Sequence, residues 1–317
     1  MDDELRQAID KGRLQRCREL IVEASAEPRA QIGLDGTSDL TALQLAAIHD
    51  EEAARRMLVR GIDCDLHSAC ALGLIERIAE ANDGELGKVA EGLTPMGFAL
   101  VRTRRESVSA LLQTGDDPNR ALQRIGFFVW ELQAFAAGDG RWMPLHAACT
   151  HGYADDAPRI AACLIDAGAR LDVPSPMGAQ PIHLASIYGW LGVLETLLSR
   201  GAAVDARTVP VGEAVWRMST PDSAEPSARQ TPLMIAALEG ATAAGRLLLD
   251  HGADVNARDA TGGTPLHAAA GAWWQESVEF VAMLLAAGGD PGAHDGRGRT
   301  PRELAVARGY NAVADLL

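Results

Sequence analysis

The sequence predicts an all-α fold of stacked antiparallel helix pairs, and three observations carry that prediction. The first is the stretch 179–206, AQPIHLASIYGWLGVLETLLSRGAAVDA, which reads as two short amphipathic helices. Pro181 suits a first helical turn, where its missing N–H needs no partner, and Ile182, Leu184 and Ala185 form one small apolar face. Gly189 breaks the helix. Val193, Leu194, Leu197 and Leu198 then recur at three-and-four spacing, and Gly201 supplies a left-handed C-terminal residue. The second observation is that the start recurs, as Gly263–Thr264–Pro265–Leu266–His267–Ala268–Ala269, Trp142–Met143–Pro144–Leu145–His146–Ala147–Ala148, Gln230–Thr231–Pro232–Leu233–Met234 and Leu93–Thr94–Pro95–Met96–Gly97. The third is that the ending recurs, as Ala167–Gly168–Ala169–Arg170–Leu171–Asp172 and His251–Gly252–Ala253–Asp254–Val255–Asn256–Ala257. A helix pair this short cannot bury its apolar faces alone, so the copies must stack on one another.

Nine repeats follow from this register, near 4–34, 35–65, 66–83, 84–119, 142–172, 173–206, 230–257, 258–292 and 293–317, forming one domain over 1–317. Leu5, Ala8 and Ile9, then Cys17, Leu20 and Ile21, give a polar-faced first repeat suited to capping the stack. Thr41–Ala42–Leu43 opens the second. Leu66–His67–Ser68–Ala69–Cys70 replaces the signature in the third, with Gly73 at its inter-helix turn. In the fourth, Thr103 stands where the turn glycine belongs, and a remodelled turn is expected there. Asp155–Asp156–Ala157–Pro158 lengthens the turn of the fifth and offers its second helix an N-cap and an early proline. Trp273 and Trp274 widen the turn of the eighth. The ninth, from Thr300 to Leu317, is truncated as a C-terminal cap requires.

Several in-phase copies of a Thr-Pro-Leu-His-x-Ala start on a unit of about 33 residues resemble the ankyrin-repeat family. The resemblance implies an ankyrin-repeat solenoid that binds proteins through finger-like loops and the concave surface of the first helices. It also implies that His146, His183 and His267 tie down the threonine before each first helix. Met143 and Gln180 replace that threonine in two repeats, so His146 and His183 are expected to be less fully held.

Two insertions interrupt the period, both between one repeat's end and the next repeat's start, where the family forms its fingers. In 120–141, Leu122, Ile125, Phe128 or Val129, Leu132 and Phe135 recur at helical spacing, predicting an added amphipathic helix. The second, 207–229, is rich in Pro, Ser, Asp and Glu around Trp216 and reads as a mobile flap.

Composition restricts the partners. A formal charge of −14 opposes attraction to nucleic acid or an anionic membrane, and no stretch approaches the roughly 20 apolar residues of a membrane span. The N-terminus shows no leader pattern, so a cytoplasmic, monomeric protein is expected. Lys11 and Lys88 are the only lysines, and the arginine bias reads as a GC-rich, bacterial genome. Five cysteines in apolar slots, without CxxC or Cys/His spacing, suggest reduced thiols rather than a zinc site.

Catalytic constellations are weak. His151 with Asp155 and Asp156 would suit a base and its orienting carboxylate, with Cys149 as nucleophile, but nothing supplies an oxyanion site and Cys149 should face the core. Asp63 and Asp65, and Asp116 and Asp117, match the acidic residues that follow each terminal glycine and read as solvated loop edges rather than metal ligands. Gly138–Asp139–Gly140 and Gly296–Arg297–Gly298 read as turns, since neither lies in a βαβ unit.

The expected site follows from repeat register at the inter-helix turns. His151 and Tyr153 flank the turn glycine of the fifth repeat as Tyr188 and Trp190 flank that of the sixth. Arg102 and Arg104 hold the same places in the fourth repeat, Glu239 in the seventh, and Trp273 and Trp274 in the eighth, with Trp142 at the border and Trp216 as a cover. Only 4% of the chain is aromatic, so rings gathered at exposed turns point to binding, Trp, Tyr and Arg being the residues enriched at hot spots. The competing reading is ring-on-ring packing between adjacent turns. The function expected is a non-catalytic scaffold for a protein or peptide partner, without cofactor or metal. The alternative is a small-molecule receptor or enzyme with a pocket formed between the aromatic strip and the insertions.

Overall fold

The structure is a computed structural model that describes residues 3–11, 13, 16–17, 19–20, 41–90, 93–122, 142–150, 155–210, 229–272 and 277–317. The helix expected in the first insertion and the flap expected in the second fall on 123–141 and 211–228, outside the described residues. Two compact units emerge, Met1–Ala169 and Arg170–Leu317.

In the N-terminal unit, α1 spans Asp3–Asp10, α2 Ala42–His49, α3 Glu51–Val59, α4 Leu66–Leu72, α5 Ile75–Ala79, α6 Asp83–Leu86, α7 Pro95–Val101, α8 Arg105–Gln113, α9 Pro144–Thr150 and α10 Ala157–Asp166. First helices pack on first helices (α2 on α4, α4 on α7, α7 on α9), and second helices on second helices (α5 on α8, α8 on α10). The C-terminal unit repeats the scheme with α11 Pro181–Ile187, α12 Leu191–Ser199, α13 Pro232–Glu239, α14 Thr242–Asp250, α15 Pro265–Ala270, α16 Val278–Ala286, α17 Pro301–Arg308 and α18 Asn311–Leu316. There, α11, α13, α15 and α17 form one row and α12, α14, α16 and α18 the other. Helix starts fall within a residue or two of the sequence expectation. Among the described residues no strand occurs, only an isolated bridge between Ala90 and Leu93.

The first helices are short and almost wholly buried, which explains their lack of a polar face. Every residue of α4, α9 and Pro232–Leu238 of α13 is buried. Small side chains such as Ala69, Ala147, Ala185 and Ala236 let the next repeat approach, and Phe98 and Phe280 are the largest side chains wholly buried in the stack. Polar caps end the helices: Thr41, Asp65, Thr94, Thr231 and Thr300 each accept a bond from the backbone N–H three residues on.

Two local expectations change. The fourth repeat's turn is not remodelled: Thr103 adopts φ 49°, the left-handed conformation that Gly73, Gly189, Gly240 and Gly309 hold at the same place. Its amide donates to Leu100 O at 2.9 Å and its hydroxyl to Arg102 O at 2.8 Å, bonds that offset part of the strain. The third repeat carries α6, an extra turn of helix. Asn82 and Glu85 cap it reciprocally, and an ion pair between Glu85 and Arg77 ties it to α5.

Candidate functional site

At the inter-helix turns of the N-terminal unit, Arg102 and Arg104 converge on one carboxylate, Glu51, from the first turn of α3. Arg102 lies 3.4 Å from it, Arg104 pairs with the same oxygen, and Arg55 bonds its other oxygen at 2.8 Å. The guanidiniums also close helix C-termini: Arg102 donates to Ile48 O at 2.9 Å, Arg104 to Ala71 O at 3.2 Å and Arg55 to Leu72 O at 3.2 Å. Three successive repeats are thus knitted by four side chains. The Arg55 bond and the charge of Arg104 hold the Glu51 carboxyl below its usual range against the opposing effect of burial.

In the C-terminal unit the equivalent positions carry rings. Tyr188 and Trp190 stack on each other with centroids 5.7 Å apart and planes 25° from parallel. Both are half-buried, and Leu191 beside them is 42% exposed. Gly189 between them has φ 64°, and a Cβ built there would lie 3.5 Å from Ala241 of the next turn. Glu239, two residues before Ala241, is half-buried. In the ninth repeat, Tyr310 donates its hydroxyl to Ala272 O at 2.9 Å, reaching back one repeat as Arg104 does. Sequence reading missed Glu51, Arg55 and Tyr310. Tyr310 follows Gly309 as Trp190 follows Gly189, so register alone was enough to find it.

Trp142 is buried, 7% exposed, and packs edge-on against the His146 ring at 5.9 Å, so it supports the signature instead of bordering an open strip. His151, Tyr153, Trp216, Trp273 and Trp274 lie outside the described residues.

The signature histidines are held more fully than their missing threonines suggested. The Nδ1 atom of His146 accepts from Met143 N at 3.0 Å, and that of His183 from Gln180 N at 3.1 Å. The backbone amide is the partner common to all three, since Thr264 N donates to His267 Nδ1 at 3.2 Å beside a hydroxyl contact at 2.8 Å. His183 Nε2 then donates to both Ala206 O and Gln230 O at 3.1 Å. Complete burial holds its pKa down to about 4, with those carbonyl bonds opposing. Burial likewise lowers His267, whose Nε2 donates to Arg299 O at 3.0 Å.

Two other expectations for reactive groups are answered by burial. Cys149 is fully buried and burial alone raises its thiol pKa, which removes the nucleophile from the constellation with His151. Asp63 and Asp117 are exposed loop residues as expected, but Asp116 is buried and Asp65, with 36% of its side chain exposed, is held in a cap. Asp65 caps α4 and accepts from Ser68 N, Ser68 Oγ and Gln44 Nε2. Burial acts to raise its pKa, but bonds from His67, Ser68 and Gln44 bring it to about 2. Asp116 is 3% exposed and pairs with Arg120 at 3.0 Å, and burial raises its pKa despite that partner. Among the described residues no cluster of His, Cys, Asp and Glu is placed to hold a metal, and no helix is long and apolar enough to cross a membrane.

Comparison with known proteins follows the same register. The ankyrin repeat profile matches residues 177–209, and a profile for ankyrin repeats in three copies matches residues 213–295. Over 222 residues, 65% of this chain, the sequence is 29% identical to NF-kappa-B inhibitor alpha of Sus scrofa, spanning 55% of that protein's length. Over 231 residues, 71% of this chain, it is 28% identical to the nuclear factor NF-kappa-B p105 subunit of Gallus gallus, covering 20% of it. A shorter segment of 82 residues, 25% of this chain, is 48% identical to 5% of the inactive serine/threonine-protein kinase TEX14 of Bos taurus. The chain thus spans about half the length of the first of these relatives, or much less. All three are animal proteins, so they lend no support to the bacterial reading of the arginine bias. Matched segments, helix-pair register and signature capping agree, and residues 177–209 and 213–295 of the chain carry ankyrin repeats.

Proposed function

We propose that this chain is a non-catalytic scaffold that binds a protein or peptide partner, acting as a monomer in the cytoplasm. The observation that supports it most is the stacked, half-buried Tyr188–Trp190 pair beside exposed Leu191, a partly exposed aromatic and aliphatic surface of the composition enriched at protein interfaces. Glu239 adds a carboxylate one repeat on. In the N-terminal unit, taken by itself, Arg102 and Arg104 leave about a third of each side chain exposed. The relatives support the same reading through their names, one an inhibitor and one a subunit of NF-kappa-B. The five cysteines are unpaired, as a reducing compartment requires.

The test is affinity capture from native cytoplasm, with mass spectrometry of proteins and retained metabolites, followed by titration of the captured partner. The double variant Tyr188→Ala/Trp190→Ala is expected to weaken binding by about 2 kcal/mol or more while its helical signal and melting are retained. Unchanged affinity in a folded double variant rejects this surface, and unfolding of the variant assigns the rings to packing instead.

A further inference from the structure

The finger between the sixth and seventh repeats can be compared, bond for bond, with three short fingers in the same unit. In each short finger a stem residue donates its amide to the carbonyl four residues on: Ser175 to Ala179 at 2.8 Å, Asp259 to Gly263 at 2.9 Å and Asp295 to Arg299 at 2.9 Å. The residue before that acceptor returns a bond to the stem carbonyl, Gly178 to Ser175 at 2.8 Å, Gly262 to Asp259 at 3.2 Å and Gly298 to Asp295 at 2.9 Å. Gly178, Gly262 and Gly298 are left-handed, with φ of 80°, 81° and 77°. Two residues fill the turn between stem and left-handed position.

The long finger makes the same bonds with different spacing. Thr208 N donates to Gln230 O at 3.0 Å, and Arg229 N returns to Thr208 O at 3.1 Å. Arg229 has φ 62°, a left-handed arginine standing where the other fingers have glycine. The outer contacts match as well. Arg207 Nη1 donates to Arg229 O at 3.0 Å and Arg258 O at 2.7 Å, as Arg258 Nη1 donates to Gly262 O at 3.1 Å and His294 O at 2.9 Å. His183 Nε2 reaches Gln230 O as His267 Nε2 reaches Arg299 O. Four independent contacts therefore place Thr208 with Asp259, and Arg229 with Gly262.

We infer that Val209–Ala228 is a guest segment: twenty residues occupying the place of two in an otherwise complete finger turn, and separable from the repeat fold. The stem closes through Thr208, Arg229, Gln230, Arg207 and His183, all outside the guest, whose first residue keeps one backbone bond, Val209 N to Gly178 O at 2.9 Å, as Gly296 N bonds Thr261 O at 2.7 Å in a short finger. Loop-closure entropy grows only slowly with length, so a closed stem tolerates a long insertion. This inference is independent of the partner reading, and its test needs no partner.

Two deletions of the full chain decide it by thermal unfolding. The first replaces Val209–Ala228 with the two residues Ala-Thr found at 260–261 and carries Arg229→Gly. The second joins Arg207 directly to Gln230 and so removes the stem. The first is expected to melt at or above the temperature of the full chain, and the second at least 10 °C lower. Similar melting of the two variants, or loss of cooperative unfolding in the first, overturns the inference. Arg229→Gly alone, in the uncut chain, is expected to raise the melting temperature by about 2 °C, because glycine relieves the left-handed strain. A lower temperature would refute the equivalence of Arg229 with Gly262.

Discussion

The same inter-repeat jobs are done by different chemistry in the two compact units. In the C-terminal unit the Thr-Pro-Leu-His pattern and its equivalents are nearly intact, and the ties run to backbone carbonyls: His183 and His267, with Arg207 and Arg258, donate to them across repeats, and glycine turns shape the short fingers. In the N-terminal unit the pattern has decayed, as Leu66–His67–Ser68 and Pro95–Met96–Gly97 illustrate, and a charged network takes up the load. Glu51 with Arg55, Arg102 and Arg104, and Asp65 with Gln44 and Ser68, bridge repeats there. Where the consensus thins, arginine–carboxylate pairs are added to the ring-to-carbonyl bonds that histidines make in both units. The two units should therefore fail under different conditions.

Acid gives the largest separation. The pKa of His183 falls from 6.5 unfolded to about 4 folded, so the unfolded chain binds the extra proton between those values. Its contribution is complete above pH 6.5 and is lost as pH falls toward 4, a loss of about 3 kcal/mol. His267 shifts in the same direction. In the N-terminal unit Asp65 has the opposite case: its folded pKa, about 2, lies below the unfolded 3.8, so its contribution persists down to 3.8 and is lost only below it. Asp116, raised by burial, is relieved by protonation. Hydrogen exchange at pH 4.5, corrected for intrinsic rates, should show α11 and α13 losing protection before α4 and α7. Uniform loss across both units would break the contrast.

Glu51→Ala addresses the network directly and should cost about 2 kcal/mol in urea unfolding, since two half-buried guanidiniums lose their shared carboxylate. High salt should weaken the parent chain toward the variant. If Glu51→Ala unfolds at the parent midpoint, the carbonyl bonds of Arg102 and Arg104 hold the turns without it.

How far the sequence revealed this follows the range of each interaction. Helix starts were legible because Pro, Thr and the terminal glycines act within one turn of where they stand. The extra helix α6 was written locally in Asn82 and Glu85, a capping pair that was overlooked. The Glu51 network was not legible: Arg55, four residues on, reads as an ordinary helix ion pair, and the partners that make it a network lie 51 and 53 residues away. At the candidate site, register places Tyr188 beside Trp190, which stack, and Arg102 beside Arg104, which share the Glu51 carboxylate. Burial, which register does not report, separates Trp142 from them.

The smallest effect concerns the turn position that both units share. Thr103 at φ 49° and Gly189 at φ 64° hold equivalent left-handed places, one with a side chain and one without. A left-handed L-residue costs roughly 1–2 kcal/mol, while glycine loses about 0.5–1 kcal/mol more backbone entropy on folding. Thr103→Gly also gives up the hydroxyl bond to Arg102 O, so its net gain should be about 0.5 kcal/mol or less. Gly189→Ala has no compensating bond, though its new Cβ meets Ala241 at an ordinary 3.5 Å, so it should cost about 1 kcal/mol through conformation alone. Denaturant midpoints of the two single variants and their double test the pairing. A large loss for Thr103→Gly would mean that its hydroxyl, rather than the backbone, fixes the fourth repeat's turn. A neutral Gly189→Ala would mean that the Tyr188–Trp190 stack holds the left-handed conformation whatever residue sits between the rings.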